Sequence, residues 1–312
     1  MRVTILAGGV GGAKLADGLQ AVIGADLTVV VNTGDDLTLH GLAIWPDHDT
    51  VAYTLAGLDD ADRGWGVAGE TWTVMDRLAE LGDETWFRLG DRDLATHLWR
   101  TDRLRDGARP TEVARELRAR MRTAATILPM TDAEVRTDVL TDDGWLEFQE
   151  YFVHRHQAPE VREVRFRGME EAVATAEVVA AVEAAEVVVI GPSNPIVSIG
   201  PVLAVPGMTA SLAAARARGT PIVAVSGIVG GVALKGPADR MLVSLGHESS
   251  ALGVARLYRD VATAFVLDTV DGALAPEIAA LGLRTLVTDT VMTDDAARAR
   301  LARTVLEFAS SL

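Results

Sequence analysis

The chain has 312 residues, 49% hydrophobic and 23% charged, which suits one large soluble domain or two modest ones with a full core. A formal charge of −15 repels nucleic acid and anionic membranes, so the expected partners are small molecules. With no cysteine, disulfides, thiolate metal sites and thiol nucleophiles are excluded, and a reducing cytoplasm is the expected compartment.

In chain order, residues 2–7 read as a buried strand, followed by a glycine-rich loop and an amphipathic helix over 13–23. A second strand at 27–32 completes a βαβ unit. Residues 69–82 and 111–123 carry apolar positions at helical spacing, while "WFRLGDRDLATHLWRTDRLRDG" between them is rich in alternating charge. Strict alternation over 135–140, 145–154 and 161–167 predicts antiparallel strands with one solvated face. The α/β rhythm then resumes: helix 170–185, strand 186–191, helix 209–218, strand 221–226, helices across 237–260 and strand 264–268. A short helix, strand 284–289 and a terminal helix follow. The expected fold class is α/β, a Rossmann-like mostly parallel sheet in a single domain. Its core is expected at about 1–60 and 170–312, with an inserted mixed α and β region at about 61–169. The apolar stretch "VVVIGPSNPIVSIGPVLAVPGM" is broken by four prolines, so no membrane span is expected.

Ligands of open α/β sheets gather beyond the carboxyl ends of the strands. After the first strand, "GGVGGAKL" supplies Gly8, Gly9, Gly11 and Gly12, whose bare backbones admit an anion, and then Lys14. It is not a Walker motif, since Ala13-Lys14-Leu15 lacks the glycine and the hydroxyl. Nor is it a dinucleotide fingerprint, because Lys14 stands at the last glycine and the second strand ends in Asn32 rather than an acid. A tight helix-packing turn is the alternative. "VNTGDDLTLHGLAIWPDHDTV" then brings Asp35, Asp36, Asp47 and Asp49 opposite that loop, a set suited to a hard cation such as Mg²⁺; any one of them alone reads as a turn or cap.

"GPSNPIVSIGPVL" offers Ser193, Asn194 and Ser198 in a loop fixed by prolines, and "IVGGVALKGPA" adds Lys235. Lys14 and Lys235 are the only lysines among 29 basic residues, each following a glycine-rich stretch where a compact ammonium serves, or surviving by chance. His154 and His156 fall two apart on one face of an expected strand without a third ligand. His40, His48 and His97 lie near the acidic segments as proton carriers or structural residues. No GxSxG elbow occurs.

Nine ordered blocks between Leu6 and Ala238 closely resemble the 2-phospho-L-lactate transferases of CofD type, which act in assembling the deazaflavin coenzyme F(420). They are "GGVGGAKL", "VNTGDD", "PDHDTVAYTL", "RGWGVAGET", "LGDRDLATHLWRT", "LPMTD", "FQEYFV", "GPSNPIVSIGPVL" and "VGGVALKGPA". The resemblance implies a Rossmann-like core and Mg²⁺-dependent transfer from a guanosine-diphosphate ester of lactate or enolpyruvate to the ribityl hydroxyl of Fo, 7,8-didemethyl-8-hydroxy-5-deazariboflavin, with release of GMP. It also implies a homodimer. The Ala- and Arg-rich composition points to an actinobacterial member and so to phosphoenolpyruvate as the transferred group.

By the same resemblance, Gly8, Gly9, Gly11, Gly12, Lys14, Ser193 and Lys235 bind the donor, with Asn194 on the donor or on Fo. Asp35 and Asp36 hold the metal, Asp35 taking part in catalysis. Asp49 and Arg88 contact Fo, Asp49 polarising its hydroxyl, with Asp47 only capping or bracing that motif. The sequence departs from the family at His48, where leucine is usual, and at Gly227, where "VSP" is usual. A nucleotide-sugar-binding regulator of the gluconeogenesis-factor type is the competing reading, but it is not expected to carry "LGDRDLATH" and "LPMTD" together.

Overall fold

A computed structural model describes residues 1–60 and 62–312. The chain opens with β1 (Val3–Ala7), α1 (Gly9–Ile23), β2 (Leu27–Val31), a hairpin of β3 (Leu37–Leu39) and β4 (Leu42–Ile44), and α2 (Pro46–Ala56). Then come α3 (Thr73–Glu80), α4 (Asp91–Arg105), α5 (Pro110–Met121), β5 (Thr126–Pro129), β6 (Arg136–Thr141), β7 (Gly144–Glu147) and β8 (Glu163–Arg167). The second half runs α6 (Ala176–Ala184), β9 (Val187–Ile190), α7 (Ile199–Ala204), α8 (Met208–Ala217), β10 (Ile222–Val225), β11 (Ile228–Val229) and β12 (Val232–Ala233). It closes with α9 (Ala238–Ser244), α10 (Ala251–Tyr258), β13 (Ala264–Asp268), α11 (Ala275–Ala280), β14 (Arg284–Thr288) and α12 (Asp295–Ser310).

Seven strands form one sheet in the order β14-β13-β10-β9-β1-β2-β5, every neighbouring pair parallel. Numbered by first appearance in that sheet, they follow the doubly wound Rossmann order with one strand added at an edge. The central strands VTILA, VVVI and IVAV are buried on both faces, which is why they read as unbroken apolar runs rather than alternations. One face is covered by α1, α2 and α12, the other by α6, α7, α8 and α10. A Cβ on Gly18 of α1 would fall 2.3 Å from the Arg298 carbonyl oxygen of α12, so the two backbones nearly touch. Among the described residues no helix is long and apolar enough to cross a membrane.

The α/β class and mostly parallel sheet are as the sequence predicts; several local details differ. Helix α1 starts at Gly9, not at residue 13, so the glycines are its first turn rather than a loop before it. Within the stretch 61–169, β5 returns to the main sheet and pairs with β2 before the chain leaves again for the antiparallel sheet β7-β6-β8. The strand expected over 145–154 ends at Glu147, and Glu150–His154 forms a short π-helix. His154 and His156 therefore do not share a strand face: His154 stacks on Trp86 at 5.1 Å, and His156 takes a positive φ of 51°. Helices α2 and α4 escape the periodicity because both bury polar faces, with Asp47, His48 and Asp49 in one and Asp93, His97 and Arg100 in the other.

Candidate active site

The sheet order reverses between β1 and β9, the point at which a doubly wound fold opens a ligand crevice. A cavity of about 750 Å³ lies there, beyond the carboxyl ends of the strands. Gly8, Gly9, Gly11, Lys14, Asp35, Asp49, Arg88, Ser193, Asn194 and Lys235 all line it; of the expected site residues only Gly12 and Asp36 do not.

At the start of α1 the glycines serve close packing. A Cβ on Gly11 would fall 2.2 Å from the Pro192 carbonyl oxygen, and one on Gly12 2.5 Å from Ser193 Oγ. The Ser193 hydroxyl is spent on Gly8, accepting from its N–H (3.2 Å) and donating to its carbonyl (2.7 Å). The Gly9 N–H donates to Asp47 Oδ1 at 2.7 Å. Two amides at the helix start are thus satisfied by the protein itself, and an anion entering here meets the two lysines as the mobile donors. Lys14 Nζ donates to the Met292 carbonyl (3.1 Å), and burial, with the charges of Arg298 and Lys235, lowers its pKa. Lys235 is exposed, with its ammonium against Gly64. In the 192–198 loop Asn194 Oδ1 accepts from the N–H groups of Ile196 (2.9 Å) and Val197 (3.3 Å), fixing the turn.

The four aspartates have different environments. Burial, then the Asp47 charge, pushes Asp35 well above the usual carboxylate range; its Oδ1 has no hydrogen-bond partner among the described residues. Burial also raises Asp36 well above that range, against the charges of Arg136 and Arg100. Asp36 lines a small cleft of about 10 Å³ together with Asp35, Arg136 and Thr137. Asp47 is raised by burial to about 6 in spite of hydrogen bonds from Asn32 and Gly9. For Asp49 burial pulls upward, but Arg100 and His48 outweigh it and hold the carboxyl at about 2.

Asp49 sits in a buried network that sequence reading did not assemble. Arg100, fully buried, pairs with Asp49, stacks over Trp45 at 4.4 Å and lies 3.2 Å from His97 Nδ1. His97 Nε2 lies 3.2 Å from Asp93, which accepts from the Tyr53 hydroxyl at 2.6 Å. His48 Nδ1 is 3.6 Å from Asp49, and burial lowers its pKa, favouring the neutral ring. His40 is elsewhere, 3.4 Å from Asp83. The "LGDRDLATHLWR" block contained Asp93, His97 and Arg100, but only the packing of α4 on α2 turns them toward Asp49.

Part of the cavity wall is aromatic. Trp86 and Phe87 precede Arg88, while Phe148 and Phe152 stack at 5.4 Å after β7. Trp86 lies flat against His154, with 6° between the planes. Arg88 is exposed at the rim, paired with Asp76 at 2.9 Å and set 5.0 Å over Trp72. None of these aromatics was singled out from sequence; the "FQEYFV" block held two of them, and no period marked their faces.

Two carboxylate groups could attract a cation. Asp49, Asp93 and His97 bring ligand atoms within 4.8 Å of one another, but the Arg100 guanidinium already neutralises Asp49 and would repel a metal. Asp35 fits a hard cation better: it is buried, its Oδ1 is unpartnered among the described residues, and it faces the cavity.

Residues 3–303 match the family model described as "2-phospho-L-lactate transferase CofD". The chain is 43% identical over 319 residues to a phosphoenolpyruvate transferase of Streptomyces griseus, covering 100% of this chain and 99% of that one. It is 40% identical over 304 residues to a 2-phospho-L-lactate transferase of Methanosarcina mazei, covering 97% and 99%. The crystal structure of protein BH3568 from Bacillus halodurans superposes with a TM-score of 0.64 over 98% of this chain and 99% of that one; at 16% identity the likeness concerns the fold alone. The full-length matches in sequence agree with the nine ordered blocks and with the crevice that gathers them: this chain belongs to the 2-phospho-L-lactate transferase (CofD) family.

Proposed function

We propose that the protein transfers a phosphoenolpyruvate, or a 2-phospho-L-lactate, group from its guanosine-diphosphate-activated donor to the ribityl hydroxyl of Fo. The observation that carries this reading is one cavity lined both by lysines with tight backbone turns and by stacked aromatic rings. A phosphorylated donor and a planar deazaflavin acceptor need both kinds of wall, placed so that the hydroxyl meets phosphorus.

In this reading Lys14 and Lys235 neutralise the diphosphate, and the rigid 192–198 loop presents Asn194 to the donor or the sugar chain. The acceptor ring lies along Trp86, Phe148 and Phe152 with Arg88 at the rim. Its terminal hydroxyl attacks the phosphorus next to the enolpyruvyl or lactyl oxygen, the bond to GMP breaks, and the hydroxyl proton passes to the departing GMP phosphate or to water. Asp49, held ionised by Arg100, accepts a hydrogen bond from the acceptor and fixes its orientation. Asp35 and Asp36 would hold Mg²⁺, which supplies charge neutralisation at the transferring phosphate. Of the two, Asp35 faces the cavity and Asp36 stands behind it. Enolpyruvate is the proposed acid, following the Ala- and Arg-rich composition.

The test is incubation with Fo, Mg²⁺ and either enolpyruvyl- or lactyl-diphosphoguanosine, followed by mass analysis. GMP and a phosphodiester of Fo are expected, formed faster from the enolpyruvyl donor. Neither product from either donor would overturn the assignment.

A further inference from the structure

In a dinucleotide-binding fold an acid at the end of the second strand reads a ribose. This chain has Asn32 there, fully buried, and its side chain turns inward. Asn32 Nδ2 donates to Asp47 Oδ2 at 2.9 Å and to the Val197 carbonyl at 3.2 Å. Its Oδ1 accepts from the Gly34 N–H at 2.8 Å, and its own N–H donates to the Ala7 carbonyl at 3.0 Å. Asp47 extends the chain of contacts, its second oxygen accepting from the Gly9 N–H at 2.7 Å. One amide therefore joins the acidic turn, the first turn of α2 and the 192–198 loop, and through Asp47 it reaches the start of α1.

The chemistry of the position is narrow. Two donors and one acceptor are used in three directions, which an amide supplies and a carboxylate or hydroxyl does not. Both amide hydrogens are engaged within the protein, so the side chain acts through its neighbours rather than on a ligand. Asp35 follows Gly34 directly, and Asn194 begins the turn that carries Val197.

We propose that Asn32, acting through Asp47, is a positioning residue that holds the Asp35 turn in register with the start of α1 and the 192–198 loop. The proposal rests on the transferase reading for its kinetic consequence, not for the pairing itself. Its effect falls on geometry at the reacting centre, so kcat should fall while the KM of each substrate stays near its wild-type value. A misplacement of about 1 Å at such a centre costs about 100-fold in rate.

The experiment uses the full chain in four forms: wild type, Asn32→Asp, Asp47→Asn and the exchanged pair N32D/D47N, each assayed with Fo and both donors and each melted. Asn32→Asp sets two carboxyl groups face to face, and Asp47→Asn sets donors against donors. In the exchanged pair the amide of residue 47 donates to the carboxylate of residue 32, and Gly9 and Gly34 keep their acceptors; the Val197 carbonyl loses its donor and faces a carboxylate oxygen, which is why full recovery is not expected. Each single variant should lose about 100-fold in kcat with little change in KM, and the exchange should recover at least about tenfold of it. Additive effects of the two changes on both kcat and melting temperature would overturn the brace, as would an Asn32→Asp variant with wild-type kcat. Where Asn32→Asp fails to fold, Asn32→Ser gives the same readout, and an unchanged kcat in it overturns the proposal. A wild type inert with both donors removes the transferase reading alone, because coupling between residues 32 and 47 in the melting temperatures still decides the pairing.

Discussion

At the switch-point end of the cavity, the walls are backbone. Gly8, Gly11 and Gly12 press α1 against the 192–198 loop so closely that no Cβ fits at Gly11, and Ser193 and Asp47 close the nearby amides. Elsewhere the cavity walls are side chains from the excursion between β4 and β8, with Trp86 half-buried against His154 and Phe152 stacked on the buried Phe148. The first kind of wall sets position and tolerates no added atom. The second sets affinity through surface area.

Four experiments would break or sharpen this contrast. The largest effect is expected behind the cavity wall: Arg100→Ala strands the Asp49 carboxylate in the interior and should cost about 3–5 kcal/mol in denaturant unfolding. An unchanged midpoint would mean that the pair is not buried as described. Next, Gly11→Ala drives a methyl group into the Pro192 carbonyl, so a loss of about 1–3 kcal/mol and of most transfer activity is expected, read by melting and product formation.

The third concerns two aspartates in one helical turn. Asp49 titrates at about 2 when folded, below its ordinary 3.8, so its contribution is present above pH 4 and is lost as pH falls toward 2. Asp47 titrates at about 6, so the protonated form is favoured and stability is lost as pH rises from about 4 through 6. The advantage of wild type over Asp49→Asn should therefore shrink toward pH 2, whereas Asp47→Asn should gain on wild type between pH 4 and 6. Parallel stability profiles for all three would refute the opposed environments. Smallest of all, Trp86→Ala should raise the KM for Fo about tenfold and leave the donor KM near wild type, with a modest fall in melting temperature because the ring packs against the cluster of Leu37, Ile44 and Leu94. A shift in donor KM instead would place the acceptor elsewhere.

The same contrast explains what the sequence made legible. Strands β1, β9, β10 and β13 announce themselves as apolar runs, and the loops after β1, β2 and β9 fall at the carboxyl ends where ligands gather. Hence Gly8, Lys14, Asp35 and Ser193 stand out in the sequence, and with Asp49 and Lys235 they line one cavity. The start of α1 was misjudged because glycine is a poor helix former, and only contact with Pro192 and Ser193 explains its use there. Arg100 and His97 were not found because a charged helix face reads as solvated until its partner helix is known. The aromatic wall draws on segments about 60 residues apart in the chain, and no local pattern links them.

The near-contact of α12 with α1 carries a consequence for synthesis. Arg298 bonds to Asp17 across 281 positions at 3.0 Å, and the apolar flank of α1, with Leu15 and Leu19, is sealed only when Leu301 and Val305 arrive. At about 5–20 residues per second, that flank stays uncovered on the ribosome for tens of seconds. A chain that ends short of α12 therefore keeps part of an apolar face open to water and is a sticky product rather than a slightly shorter enzyme.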